Sequence, residues 1–216
     1  MRAGLRRLLK SAVDGVCLVI VVPAAALCAA ETKLGPRAET MFTAWAQAFA
    51  LVPGVAGVFL RRAFYRLTLE ACGSSFCIGF GAMFTHRAAA IEQDVYVGPY
   101  ALIGSCRLGR GALIGSRSSI LSGGSLHTLD ASGRWAATDI NRLHRVDIGA
   151  YAWIGEASVI IADIGTSAMV AAGSVVSSAV PAHTMVGGNP ARFVRRLEVP
   201  RTNEEVPSVS TAVPVR

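Results

Sequence analysis

In this 216-residue chain the residue best suited to chemistry is His127. It stands where a repeat breaks. Leu108, Ile114, Ile120 and Leu126 recur every six positions, then the stretch HTLDASGRW drops the rhythm until Ile148 restores it. An imidazole ionises near neutrality, so it can take a proton from a hydroxyl as that oxygen attacks an acyl carbon. Its backbone, following the last aliphatic of a regular strand, is held while the ring reaches the surface. A second candidate is the cation cluster Arg192, Arg195 and Arg196, which suits a phosphorylated small molecule or an anionic lipid. No Ser-His-Asp or Cys-His constellation points to an acyl-enzyme, so direct transfer is the expected route. The four histidines (His86, His127, His144, His183) lack paired ligand spacing, and no metal site is expected.

The elements that must position these residues are hexads running from Cys77 to Pro181. Before the break they begin at Ile78, Phe84, Ile91, Val97, Ile103, Leu108, Ile114 and Ile120; after it, at Ile148, Ile154, Ile160, Ile164, Val170 and Val176. The first position is aliphatic, the second often Gly and the fifth small. Each hexad reads as a short parallel strand plus a corner, with the aliphatic inward and the small residue in the crowded turn. Gly at the second place is expected to serve unusual dihedrals. Three such sides close one triangular coil, and stacked coils share an apolar column.

The chain is 52% hydrophobic and only 16% charged, and the apolar excess lies in its first third. Ser11–Ala30 is apolar except for Asp14, behind a basic start (Arg2, Arg6, Arg7, Lys10). Met41–Leu60 is uncharged and closed by Arg61-Arg62. Each run is about the ~20 residues of a membrane span and carries a central proline, Pro23 or Pro53. The two read as a kinked or re-entrant hairpin with both ends cytoplasmic, or the second as a buried or interfacial helix; a cleaved signal is a further reading of the first. The net charge of +7 follows these flanks and the late arginine cluster; without a basic helix or an aromatic-basic motif it does not indicate nucleic acid. Five cysteines with no CxxC pair read as small fillers in a reducing compartment. The expected organisation is an apolar helical membrane-association region over 1–66, a mainly-β coil domain over 67–197 and a disordered tail over 198–216.

The hexads, then SGGSLHTLD, a loop, VDIGAYAWIG, VAAGSVV and VGGNPARFVRRL, resemble in this order the hexapeptide-repeat acyltransferases, most of all the maltose/galactoside O-acetyltransferase kind and its relatives in polysaccharide synthesis. The resemblance covers roughly Cys77 to Leu197. It implies a left-handed parallel β-helix, a homotrimer with active sites between subunits, and acyl-CoA, in particular acetyl-CoA, as a co-substrate with no permanently bound cofactor. It makes His127 the catalytic base. Trp153 then lines the site or an interface, Ala172 offers its backbone to the pantetheine arm, and Arg192 and Arg195 meet the nucleotide phosphates. Thr85 and His86 fall where relatives contact the acceptor. Ser178 departs from relatives that place a lysine there.

The expected protein is an O-acyltransferase acting on a sugar hydroxyl of a lipid-linked or polysaccharide precursor, at the cytoplasmic face of a bacterial inner membrane. A soluble cytoplasmic acetyltransferase of small molecules and a non-catalytic scaffold at the membrane are the alternatives. The group that orients His127 is open among Asp130, Asp139 and a backbone carbonyl. The excursion over Thr128–Val146 is expected to wall a neighbouring subunit's site, with Trp135 as a contact.

Overall fold

In the computed structural model, which describes residues 2–35, 38–122, 127–136 and 143–198, the hexads stack as a left-handed parallel β-helix of about six coils. The strands fall on three faces, and the later coils reach face A through isolated bridges at Ile164 and Val180. Face A holds β1 (Ala71–Cys72), β4 (Ala90–Ile91), β7 (Cys106–Leu108) and β10 (Val146–Ile148). Face B holds β2 (Phe76–Ile78), β5 (Val95–Val97), β8 (Leu113–Ile114), β11 (Trp153–Ile154), β13 (Met169–Val170), β15 (Thr184–Gly187) and β16 (Arg192–Arg196). Face C holds β3 (Met83–Phe84), β6 (Leu102–Ile103), β9 (Ser119–Ile120), β12 (Val159–Ile160) and β14 (Val175–Val176). The pairings are parallel except β15 with β16, where the chain turns back and closes the sheet. The chain passes from A to B to C and back to A, so the His127 excursion leaves from the edge between faces C and A.

First-position aliphatics form the core. One column is Ile78, Val97, Ile114, Ile154, Val170 and Val186; those of the other faces run from Phe84 to Val176 and from Ile91 to Val180, all buried. Fifth-position residues fill the corners: Ala82, Ala101, Ala112, Ser118, Ala152, Ser158, Ala168 and Ser174 are buried. The serines cost little there, because Ser118 Oγ donates to the Gly155 carbonyl at 2.9 Å and Ser174 Oγ to that of Ala171 at 2.6 Å.

The role expected for second-position glycine is corrected. The left-handed residues sit at the fourth position: Gly81, Tyr100, Gly111, Arg117, Tyr151, Ala157, Ser167 and Gly173 all have positive φ. At the second position the constraint is space. A Cβ on Gly165 would lie 2.3 Å from the Ala182 nitrogen of the next coil, and one on Gly155 2.5 Å from that of Ala172.

A helical cap covers the first coil. α1 (Arg2–Glu31) runs through Pro23 into a short 3-10 turn (Thr32–Leu34), followed by α2 (Thr40–Ala50) and α3 (Gly54–Thr68). The second apolar run is thus two helices broken before Pro53 and packed inward through Phe42, Phe49 and Phe64, with no single spanning helix. Arg61 and Arg62 do not flank a membrane segment; both are buried. Arg61 donates from Nε to the Ile78 carbonyl (3.0 Å) and from Nη1 to those of Phe49 (3.0 Å), Ala50 (3.4 Å) and Val52 (2.8 Å), which gathers carbonyls at and just past the C-terminus of α2 onto one cation. Arg62 pairs with Asp14 of α1. The Tyr65 hydroxyl accepts the Phe84 N–H, which joins α3 to β3.

The five cysteines are free thiols, and burial pushes those of Cys72 (to about 12) and Cys106 upward. The tail expected over 198–216 lies, from residue 199 on, outside the described residues.

The spacing of the coils generates a prediction. Gly165→Ala should lower unfolding stability by about 1–3 kcal/mol through overpacking. Gly15→Ala, whose added Cβ meets nothing, should leave stability equal or raised. Denaturant melts of the two variants check this.

Candidate active site

His127 is exposed at the start of the excursion, and a small hairpin holds it. Leu129 bridges Trp135 antiparallel, and the Ala136 N–H donates to the Thr128 carbonyl at 2.8 Å. The tip is folded by Asp130, whose carboxylate accepts from the Ser132 hydroxyl and from the backbone N–H groups of Ser132 (2.8 Å) and Arg134 (3.0 Å). Those bonds, the hydroxyl's first, hold the Asp130 carboxyl below its ordinary range. Asp130 is therefore engaged in its own turn, and Asp139 lies outside the described residues, as does Leu126. A backbone carbonyl bonds His127: Nδ1 is 3.0 Å from the Ala136 oxygen. A carbonyl only accepts, so Nδ1 carries the hydrogen of that bond.

Trp153 and Ala172 come together. Both line an open groove of about 710 Å3 on face B, with Tyr96, Leu113, Met169 and Glu156 among its walls. The groove follows an outward column in strict register: Tyr96, Leu113, Trp153, Met169, Met185. Trp153 is 50% exposed and Leu113 45%, unusual for such large apolar side chains on a folded surface. The next residue in the column is Arg195, opposite Met185. It stands three strands from Trp153, about 14 Å at the usual strand spacing.

Arg192 and Arg195 are three apart, and in a regular strand they would face opposite sides. A bulge in the β15–β16 pairing, between Met185 and Val186, inserts one extra residue. Arg195 thus pairs with Met185 and Arg192 with Gly187, two positions of the same outer side of β15. Arg192 also donates to the Ala191 carbonyl (3.1 Å) and, with Arg196 and Ser178, lines a second cavity of about 280 Å3 at the coil's C-terminal end.

Thr85 and His86 sit at the other end of the coil. The Thr85 hydroxyl donates to the Ile103 carbonyl at 3.3 Å and serves the stack. His86 Nδ1 lies 2.7 Å from Glu39 Oε2, and Glu39 Oε1 accepts the Arg87 N–H at 2.7 Å. Burial pushes the Glu39 carboxyl up, but the bonds from His86 and from the Arg87 N–H outweigh it and hold it low. Glu39 has no signal in the sequence; it is one carboxylate in a polar linker 47 residues before His86. The backbone N–H of Ser105 bonds Ser122 Oγ, and Ser105 Oγ bonds the Ala88 carbonyl, so His86 and the departure point of the His127 excursion share the edge between faces C and A. In a three-sided prism that edge is opposite face B. The chain therefore carries its histidine edge and its apolar groove on opposite sides of the prism.

No family model matches the chain. Serine acetyltransferase 4 of Arabidopsis thaliana is 40% identical over 89 residues, which are 40% of this chain and 23% of that protein. The chain thus spans less than a third of the length of this curated relative. Among solved structures, a maltose O-acetyltransferase from Clostridium difficile 630 superposes with a TM-score of 0.63 at 18% identity, covering 80% of this chain and 89% of that one. A galactoside acetyltransferase in complex with coenzyme A gives 0.62 at 17% identity, covering 74% and 81%. The fold is the hexapeptide-repeat β-helix of these acetyltransferases.

The Glu39 contacts carry a pH-dependent prediction. Its folded pKa is depressed, so its stabilisation is present above the unfolded value near 4.3 and is lost as pH falls through the folded value. Glu39→Gln should cost about 1–2 kcal/mol at neutral pH, and the difference from wild type should shrink below about pH 4. Urea unfolding at several pH values measures it.

Proposed function

We propose that the protein is an acetyl-CoA-dependent O-acyltransferase whose acceptor is a sugar hydroxyl on a lipid-linked or polysaccharide precursor. The observation that carries this is the face B groove. Its apolar column suits a pantetheine arm, Ala172 lies in its wall, and the bulged pairing sets Arg195 opposite Met185 and Arg192 opposite Gly187, positions suited to charge-assisted bonds to phosphates. Neighbouring folds include enzymes crystallised with coenzyme A, which supports the donor.

His127 acts as general base. Nε2 takes the acceptor's hydroxyl proton as its oxygen attacks the thioester carbonyl; the C–O bond forms, the C–S bond breaks, and the imidazolium proton goes to the departing thiolate. A backbone N–H stabilises the tetrahedral oxyanion. His86, held by Glu39, contacts the acceptor on the same edge.

A homotrimer brings the histidine edge and the groove together. Face A is charged outside, with Arg107, Asp147 and Asp163 at outward positions and Glu92 2.7 Å from Arg107. Face B presents its apolar column, and face C presents Met83, Leu102, Ser119, Val159 and Val175. Three prisms packed B against C, with A outward, bury the apolar sides. The C/A edge of one subunit, with His127, then meets the far border of its neighbour's face B. The apolar α1 supports a location at the cytoplasmic face of a bacterial inner membrane, where acyl-CoA is available and lipid-linked acceptors are concentrated.

The test is thiol release from acetyl-CoA across free sugars, lipid-linked sugars and L-serine. His127→Ala should lower kcat by about 10²–10⁴ with folding intact. Arg192→Ala combined with Arg195→Ala should raise KM for acetyl-CoA about tenfold or more and change kcat less. No thiol release with any hydroxyl acceptor, together with no coenzyme A binding, would mark a scaffold; preference for L-serine would mark a soluble small-molecule enzyme.

A further inference from the structure

α1 is the one helix among the described residues long and apolar enough to cross a membrane; its candidate span, Ser11–Leu34, has a mean hydropathy of 2.3. Its contacts contradict a crossing. The residues it turns to the protein are Asp14, Cys17, Val21, Ala24, Cys28 and Glu31, one row at helical spacing. Both ends of that row are tied to the folded domain. Asp14 pairs with Arg62 of α3, while Arg87 of the first coil donates to the Cys28 carbonyl at 2.8 Å. The Glu31 carboxylate accepts the Met41 N–H at 2.9 Å, at the start of α2. From Asp14 to Cys28 is about 21 Å of helix axis. A helix clamped over that length against two other helices and a β-helix cannot stand alone across a bilayer.

Its other side is bare. Val13, Val16, Val19, Ile20, Val22 and Leu27 are exposed, Val19 at 73%, and no charge interrupts that side from Ser11 to Ala30. The first ten residues hold four cations and no carboxylate. Leu51 and Val55, in the helical cap beside it, are exposed as well.

We propose that α1 is an in-plane anchor. It lies lengthwise in one leaflet with its bare side among the acyl chains and its basic start among anionic headgroups, and it does not cross. This deepens the membrane-bound reading above by fixing the mode of attachment. Lipid is the occupant because the bare side is one-sided, long and flanked by cations, the pattern of interfacial helices. The coil and the N-terminus then share one side of the membrane. The acceptor edge starts beside the anchor, since Glu39 and Arg87 tie the His86 turn to the linker and to α1.

The test needs no catalysis. Purified full-length protein is mixed with vesicles of phosphatidylcholine, alone or with roughly one-third phosphatidylglycerol, and bound protein is separated by flotation. Binding should favour the anionic vesicles and weaken as salt rises. Val19→Asp should reduce it about tenfold or more, with the oligomeric state by light scattering unchanged. A protease site placed before Arg2 should be cut from the same side as the coil. Protection of that site while the coil stays accessible would establish a span. Absence of vesicle binding, with a changed oligomeric state in Val19→Asp, would assign the bare side to a second copy. Thiol release with a soluble acceptor, assayed in parallel, judges the enzymatic reading separately.

Discussion

Each coil is hydrogen-bonded, strand on strand, to the coil above it, and the closeness of that stacking governs the rest of the molecule. Corner carbonyls accept the N–H groups of the coil before them, as Ile154 does from Gly115 and Val170 from Gly155, both at 2.8 Å. At eight of the fourteen hexads a side chain in second place would enter the next backbone, and those positions are Gly. At the last full coil, where only β15 lies above, Ala171 takes that place beside Gly187. The rigidity has a functional consequence: outward residues on successive coils are held in register, and Trp153, Met169, Met185 and Arg195 form a line without any packing of their own.

Two departures from this regularity carry candidate site residues. The excursion after β9 carries His127 off the edge and bonds its Nδ1 to Ala136, a residue that belongs to the same excursion and not to the coil. The β15–β16 bulge breaks two-residue alternation once, and Arg192 and Arg195 share a side as a result. A third element, the helical cap, seals the N-terminal end of the apolar core and carries α1. The strand β16 with its arginines and the helical cap thus stand at opposite ends of the stack, with the His127 excursion between them.

Much of this was legible in the residues, because a six-residue period with small fifth positions has one physical solution. Columns such as Ile114-Ile154-Val170 and corners such as Ala112 and Ser158 are where the repeat puts them. The reason for glycine was misread, because dihedral freedom and lack of space select the same residue, and only the stacked backbones tell them apart. Arg61 and Arg62 misled for a similar cause: two cations after an apolar run look alike whether they meet headgroups or, as here, helix-end carbonyls and a half-buried aspartate. The Glu39–His86 pair and the Arg87 bonds join residues nearly fifty positions apart and leave no local pattern. The bulge was equally hidden, since GNPARFVRR does not show in its letters which residue is the extra one.

The central claim is that one protomer's His127 works with the next protomer's groove, and mixing two differently impaired chains tests it most directly. His127→Ala protein and the Arg192→Ala, Arg195→Ala double variant would be unfolded together, refolded as mixed trimers and assayed for thiol release at subsaturating acetyl-CoA. A site shared across an interface predicts recovery of roughly a quarter of wild-type activity at equal mixing, since one site in four joins an intact histidine to intact arginines. Activity no greater than the average of the two separate variants would contradict it and place the whole site within a single chain.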